Sequence, residues 1–106
     1  MQAFDIKRGH LKNIEGEKLK QLVQDVFGDA EENEGRIETS FGALRRLTVW
    51  TEGSVLFVDT EMQKGIDDST ALETIQLYNS FMERATGFTS KQRRDRLQKR
   101  ARKGKS

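Results

Sequence analysis

The residues that could do chemistry are few. His10 is the single histidine, and with Arg8 and Gly9 beside it the segment has the residue types of an anion site or a general base. A general base must reach a substrate proton or a nucleophile, and a metal-bound histidine needs companion ligands. No such partner motif stands elsewhere, so His10 reads as a structural turn position. Asp29, Glu31, Glu32 and Glu34 crowd one connection, but their spacing departs from the D-x-[DN]-x-[DN]-G pattern of a calcium loop, and no well-placed bidentate Glu follows. Asp67-Asp68 stands where a helix cap is expected. The glycines form neither G-x-G-x-x-G nor a P-loop. The chain has no cysteine, which excludes disulfides, thiolate metal sites and cysteine nucleophiles. The expectation is a non-enzymatic protein with no catalytic residue, no metal, no cofactor and no small-molecule substrate.

Charge is distributed far less evenly than the net value of +2 suggests. From Phe88 to Ser106 the chain carries nine Lys or Arg against one acid, Asp95, a local charge of +8. The residues before Phe88 carry ten basic and sixteen acidic side chains, a charge of −6, and the two values sum to +2. A negative body with a cationic terminus points to a polyanionic partner. The nine candidates for phosphate contact are Lys91, Arg93, Arg94, Arg96, Lys99, Arg100, Arg102, Lys103 and Lys105. No aromatic residue follows Phe88, so this segment is not expected to stack on bases, and its binding is expected to be independent of sequence. The competing reading is a solubilising terminus, free in solvent or folded back on the acidic body.

These residues need elements to position them. Ala3–Lys7 alternates, with Phe4 and Ile6 on one face, and predicts a short strand. Glu17–Phe27 predicts a helix, with Leu19, Leu22, Val23, Val26 and Phe27 at helical spacing and Gly28 as its C-terminal cap. Asp29–Gly35 reads as an exposed acidic connection. Three strands are predicted at Arg36–Phe41, Leu44–Thr51 and Ser54–Glu61, with a hairpin closing at Glu52-Gly53. That register pairs Leu47 with Val58, Val49 with Leu56, Trp50 with Val55, Thr48 with Phe57, and Arg46 with Asp59 as an ion pair. Asp67–Thr86 predicts a second long helix, for which Asp67, Asp68, Ser69 and Thr70 all offer N-caps, Asp68 and Ser69 being preferred. Its buried stripe is expected to be Ala71, Ile75, Tyr78, Met82 and Ala85, widened by Leu72 and Phe81. Gly87 closes that helix. Thr89-Ser90-Lys91-Gln92 fits a capping box, so a third helix can run from Ser90 to about Arg102. With Leu97 and Ala101 as its only apolar residues it is expected to fray alone and to order on a partner.

The order β-α-β-β-β-α predicts an α+β, two-layer fold with a mainly antiparallel sheet and both long helices on one face. The compact domain spans 1–88, and 89–106 forms a basic C-terminal extension, helical or disordered. Covering the Leu47/Val49 face leaves the opposite face open, with Arg46, Trp50, Val55 and Phe57 as candidates for a protein interface or homodimer seam. The start, MQAFDIKRGH, has no apolar run of the signal-peptide kind, and no window approaches the ~18 apolar residues of a membrane span. A cytoplasmic location with no membrane partner is therefore expected.

The opening strand ending in Lys7-Arg8-Gly9-His10, the segment Ser40–Arg46 followed by Val49-Trp50, and the run from Asp67-Asp68 through Tyr78-Asn79 to Ala85-Thr86-Gly87-Phe88 together resemble a family of small uncharacterised archaeal proteins. The resemblance implies a fold like one half of the TATA-binding protein, an antiparallel sheet with helices on its convex side. In the TATA-binding protein the concave face grips the minor groove with Phe wedges and basic residues. Here that face would offer Trp50, Phe57 and Arg46 but also Asp59, with no paired wedges. No binding site transfers with the fold. The sequence supports a small binding module that meets nucleic acid or a ribonucleoprotein through its basic extension. The alternative is a protein–protein or homodimerisation module using the face around Trp50.

Overall fold

A computed structural model describes residues 2–103, and side chains from 2 to 99. The elements are β1 (Gln2–Asp5), a single 3-10 turn (Leu11–Asn13), α1 (Lys18–Phe27), β2 (Glu31–Asn33), β3 (Arg36–Phe41), β4 (Leu44–Glu52), β5 (Val55–Met62), α2 (Asp68–Thr86) and α3 (Ser90–Lys103). The strands form one open antiparallel sheet in the order β1-β5-β4-β3-β2. This is the expected α+β class with one more strand than the alternation signal predicted.

The additional strand is β2, inside the segment read as an acidic connection. Glu34 and Gly35 both have positive φ, 52° and 81°, and join Asn33 to its partner Arg36 as a two-residue turn. Positive φ at both central positions is the type I′ geometry, whose twist matches that of a hairpin. Every residue of β2 is exposed, so no apolar alternation marks it. A short acidic strand also blunts the sheet edge against adventitious pairing.

The β4–β5 hairpin is displaced from the predicted register. Glu52 pairs with Val55 around a Gly53-Ser54 turn, so paired residue numbers sum to 107 instead of 105. Gly53 takes φ 60° at the first turn position, and Ser54 has no positive φ, which is the type II′ pattern. Closing at Glu52-Gly53 would have placed the glutamate in that left-handed position. A shift of two keeps every side chain on its face but changes its neighbours. Val49 meets Val58, Thr48 meets Asp59, and Trp50 meets Phe57 instead of Val55. Arg46 lies opposite Glu61 and pairs with it, Nη2 to Oε2 at 3.7 Å, instead of with Asp59.

One face of the sheet packs under α1 and α2. Phe4, Ile37, Leu44, Leu47, Val49, Leu56 and Val58 meet Leu19, Leu22, Val23 and Phe27 of α1 and Phe81, Met82 and Ala85 of α2 in a single core. Phe27 links the layers, its ring 5.7 Å from Phe81 and 6.2 Å from Phe41. Burying each such side chain contributes about 1.5–3 kcal/mol.

The face that α2 buries differs from the apolar stripe. Leu72 and Ile75 are 58% and 50% exposed, whereas Thr74 and Thr86 are buried. Thr74 Oγ1 accepts from the Ala43 backbone N–H at 2.9 Å and donates to Thr70 O at 2.7 Å. The β3–β4 turn therefore docks on α2 through a hydroxyl. Gly42 is required there: it has φ 53°, and a Cβ would lie 2.3 Å from Thr74 Oγ1. Of the four N-caps the sequence offers, the structure uses Asp67 in place of the preferred Asp68 or Ser69. The Asp67 carboxylate accepts from the Thr70 N–H at 3.1 Å and the Thr70 hydroxyl at 2.8 Å.

Candidate polyanion-binding helix

Three residues, Gly87, Phe88 and Thr89, connect α2 to α3. Gly87 (φ 80°) ends α2 with its N–H on Glu83 O at 2.8 Å. Thr89 and Gln92 then form the reciprocal capping box expected from sequence: Gln92 Oε1 accepts from the Thr89 N–H at 2.9 Å, and Thr89 Oγ1 from the Gln92 N–H at 3.3 Å. The chain thereby turns back at once and lays α3 along β1, with a smaller contact on α2.

Arg93 fastens the helix. Only 6% exposed, it donates from Nη1 to Phe88 O at 2.7 Å and from Nη2 to Asn79 Oδ1 at 3.1 Å. Burial pushes its guanidinium pKa down, while Tyr78 and Glu83 pull it up. Burial also pushes the Tyr78 phenol up. Leu97, one turn beyond Arg93, packs against the core. Arg96 lies over the Phe88 ring at 4.2 Å and donates Nη1 to Asp5 Oδ2 at 3.2 Å. The expectation of a helix without tertiary support is thus corrected: α3 has little apolar surface, but an arginine with neutral acceptors supplies the anchor.

This docking divides the nine sequence candidates. Arg93 is consumed by the fold, and Arg96 is held by Asp5. Lys91, Arg94 and Lys99 are exposed. Arg100, Arg102 and Lys103 lie within α3, with side chains outside the described residues, and Lys105 lies outside them altogether. Nothing in the charge pattern marked Arg93 as an anchor; the available signal was its four-residue spacing from Leu97, which puts both on one helical face.

The open sheet face carries a different arrangement. Arg36, Trp50 and Phe57 form a cross-strand row over β3, β4 and β5. The Trp50 and Phe57 rings stack at 5.6 Å and 8°, and Arg36 Cζ lies 4.3 Å from the Trp50 ring centroid. β4 runs between β3 and β5, so the two neighbours cover opposite faces of the indole. Val55 is half-buried beside this row, and exposed Arg46 is paired with Glu61. Arg36, missed from sequence, becomes a stacking residue only once β3 is registered against Trp50.

The remaining candidates take structural or surface positions. His10 donates Nε2–H to Arg84 O at 2.7 Å, and Lys7 N–H meets Thr86 O at 2.8 Å. Both satisfy carbonyls at the C-terminus of α2, which otherwise lack helical donors. Glu31, Glu32 and Glu34 are exposed on and beside β2. Among the described residues no three His, Asp or Glu side chains converge as a metal site, and no helix is long and apolar enough to cross a membrane.

The chain is an α+β domain defined by an open five-stranded antiparallel sheet and three helices. It belongs to the family described as Domain of unknown function (DUF5611), whose profile matches residues 1–99. No curated protein and no solved structure matches it.

Proposed function

We propose that this chain is a non-enzymatic, cytoplasmic binding module that engages nucleic acid, free or within a ribonucleoprotein, through α3 and independently of base sequence. The observation that carries this reading is the division of labour on α3: Arg93 and Leu97 fasten the helix while Lys91, Arg94 and Lys99 face solvent. A helix held in place presents its cations without the ordering cost that a disordered arm incurs on binding. The acidic body, at −6, disfavours a polyanion elsewhere on the molecule and directs it to this one element. Without an aromatic residue beyond Phe88, recognition rests on phosphates.

If three phosphates are neutralised, affinity for duplex DNA falls about 40-fold between 50 and 200 mM salt. Fluorescence anisotropy with a labelled duplex and a single strand, for the wild type and a Lys91→Glu/Arg94→Glu/Lys99→Glu variant, tests the assignment. Loss of binding in the variant with an unchanged circular dichroism spectrum is the expected result. Equal affinity of the two proteins, or binding insensitive to salt, refutes it.

A second reading places a protein partner or second copy on the open face. It is favoured by the Arg36–Trp50–Phe57 row, whose indole has both faces covered and so offers no free platform for a base. Sedimentation of the wild type and Trp50→Ala separates the readings, since weakened self-association would be confined to the second. The likeness to half of the TATA-binding protein, and with it an archaeal origin, belongs to this proposal. The order of the elements supports that likeness. The open face, however, lacks paired intercalating wedges, so a minor-groove grip is not part of it.

A further inference from the structure

Of the three large hydrophobic side chains left exposed among the described residues, Met62 and Ile75 line one groove and Leu72 stands one turn before Ile75. Met62 ends β5 at 53% exposure, and Leu72 and Ile75 lie on the first half of α2. The groove is floored by Gln2, Leu44, Thr60 and Met62 and walled by Ile75 and Tyr78. The floor is the helix-covered face of the sheet continuing beyond the reach of α2.

The same place has an open backbone edge. β1 lies against β5 from Val55 to Val58, yet β5 continues to Met62. Among the described residues no strand lies against the outer side of Thr60–Met62. The direction of the main chain there follows from two hydrogen bonds. Ile6 N–H donates to Ser54 O, so even-numbered residues of this strand turn their backbone groups toward β1. Gln63 N–H donates to Ala43 O, so odd-numbered ones turn toward β4. Thr60 and Met62 therefore present N–H and C=O outward, while their side chains line the groove.

We propose that this groove and edge form a docking site for an extended segment of a partner protein, which adds as a strand antiparallel to β5 and in line with β1. A strand is the occupant that both halves of the site require. It pairs the outward donors and acceptors of Thr60 and Met62 and sends alternate side chains down between the sheet and α2. A helix seated in the groove would bury those backbone groups without partners. The groove positions take Val, Ile or Leu. The intervening positions lie on the other face beside Glu61, which already pairs with Arg45 and Arg46, so polar residues of either charge fit there. The site stands apart from α3 and does not depend on its role.

The test uses the full chain, isotope-labelled for amide NMR, and an acetylated and amidated octapeptide of alternating valine and lysine. Two control peptides keep its composition: one with the residues in two blocks, one N-methylated at alternate positions. Expected are shifts confined to Asp59–Met62, Leu72, Ile75 and Tyr78, and slowed exchange of the Thr60 and Met62 amides. Both controls, and Ile75→Lys and Met62→Lys proteins with the parent peptide, bind at least 10-fold more weakly. Equal binding by the block peptide reduces the effect to charge attraction and overturns the proposal. Equal binding by the N-methylated peptide, absence of shifts at millimolar peptide, or shifts centred on α3 or Trp50 does the same. Concentration-dependent shifts at these residues without peptide would assign the groove to a second copy of this chain and overturn the partner assignment.

Discussion

Replacing Arg93 tests how α3 is attached. The side chain makes a hydrogen bond of 2.7 Å to Phe88 O and one of 3.1 Å to Asn79 Oδ1, and neither acceptor is charged. Hydrogen bonds with one charged partner contribute about 1.5–3 kcal/mol each. Burying the guanidinium opposes this, as its downward pKa displacement indicates. Removing the donor also leaves the Phe88 carbonyl buried without a partner. Arg93→Ala is therefore expected to cost about 2–4 kcal/mol, most of it as loss of α3 docking. Arg93→Met, which restores the aliphatic stem but not the donors, should recover less than half of that. Urea unfolding gives the total, and amide exchange along Ser90–Lys99 gives the local part. Because both hydrogen-bond acceptors are neutral, the loss should depend on salt between about 0.05 and 0.5 M only through the longer-range attraction of Glu83. Arg96→Ala, which removes a half-exposed pair with Asp5, should cost under about 1 kcal/mol and less at high salt. Unchanged exchange protection of α3 in Arg93→Ala, with stability within about 0.5 kcal/mol of wild type, would refute the anchoring argument.

Two further outcomes follow from the contacts of α2. Gly42→Ala places a Cβ 2.3 Å from Thr74 Oγ1 at φ 53° and should destabilise by about 2–4 kcal/mol; in thermal unfolding its cost should fall when combined with Thr74→Ala, since the clash shares that atom. The Asp67 carboxylate is held below its ordinary pKa by the Thr70 hydroxyl and backbone N–H. Its depressed folded-state pKa means the capping contribution is present above the unfolded value near 4 and is lost as pH falls through the lower folded value. Asp67→Asn should flatten that acid limb in pH-dependent denaturation, and an unaltered limb would refute the assignment.

The docking of α3 also explains how one segment is both anchored to the body and cationic toward solvent. Arg93, Arg96 and Leu97 take up one side of the helix, and that commitment leaves Lys91, Arg94 and Lys99 outward. It also covers the β1 edge of the sheet, as the short acidic β2 blunts the other. Among the described residues the end of β5 at Thr60–Met62 has neither kind of cover, and the proposed strand addition uses that stretch.

What the sequence determined by itself is the local part. Apolar spacing placed α1, and the glycines at 28 and 87 closed helices because only a left-handed residue continues the chain there. The Thr89–Gln92 box started α3, and the separation of −6 from +8 is a property of composition. The tertiary structure decided which residues meet. Sliding β4 by two against β5 preserves the alternation of faces, so pattern alone could not choose between Val55 and Phe57 as the neighbour of Trp50. An all-exposed strand such as β2 leaves no periodic mark, and its existence depends on β3 offering an edge. Arg93 reads as a phosphate-contact candidate and Thr74 lies outside the predicted apolar stripe, because a polar group's burial depends on an acceptor or donor distant in sequence. Ala43 N–H, Phe88 O and Asn79 Oδ1 become those partners only when the chain has folded.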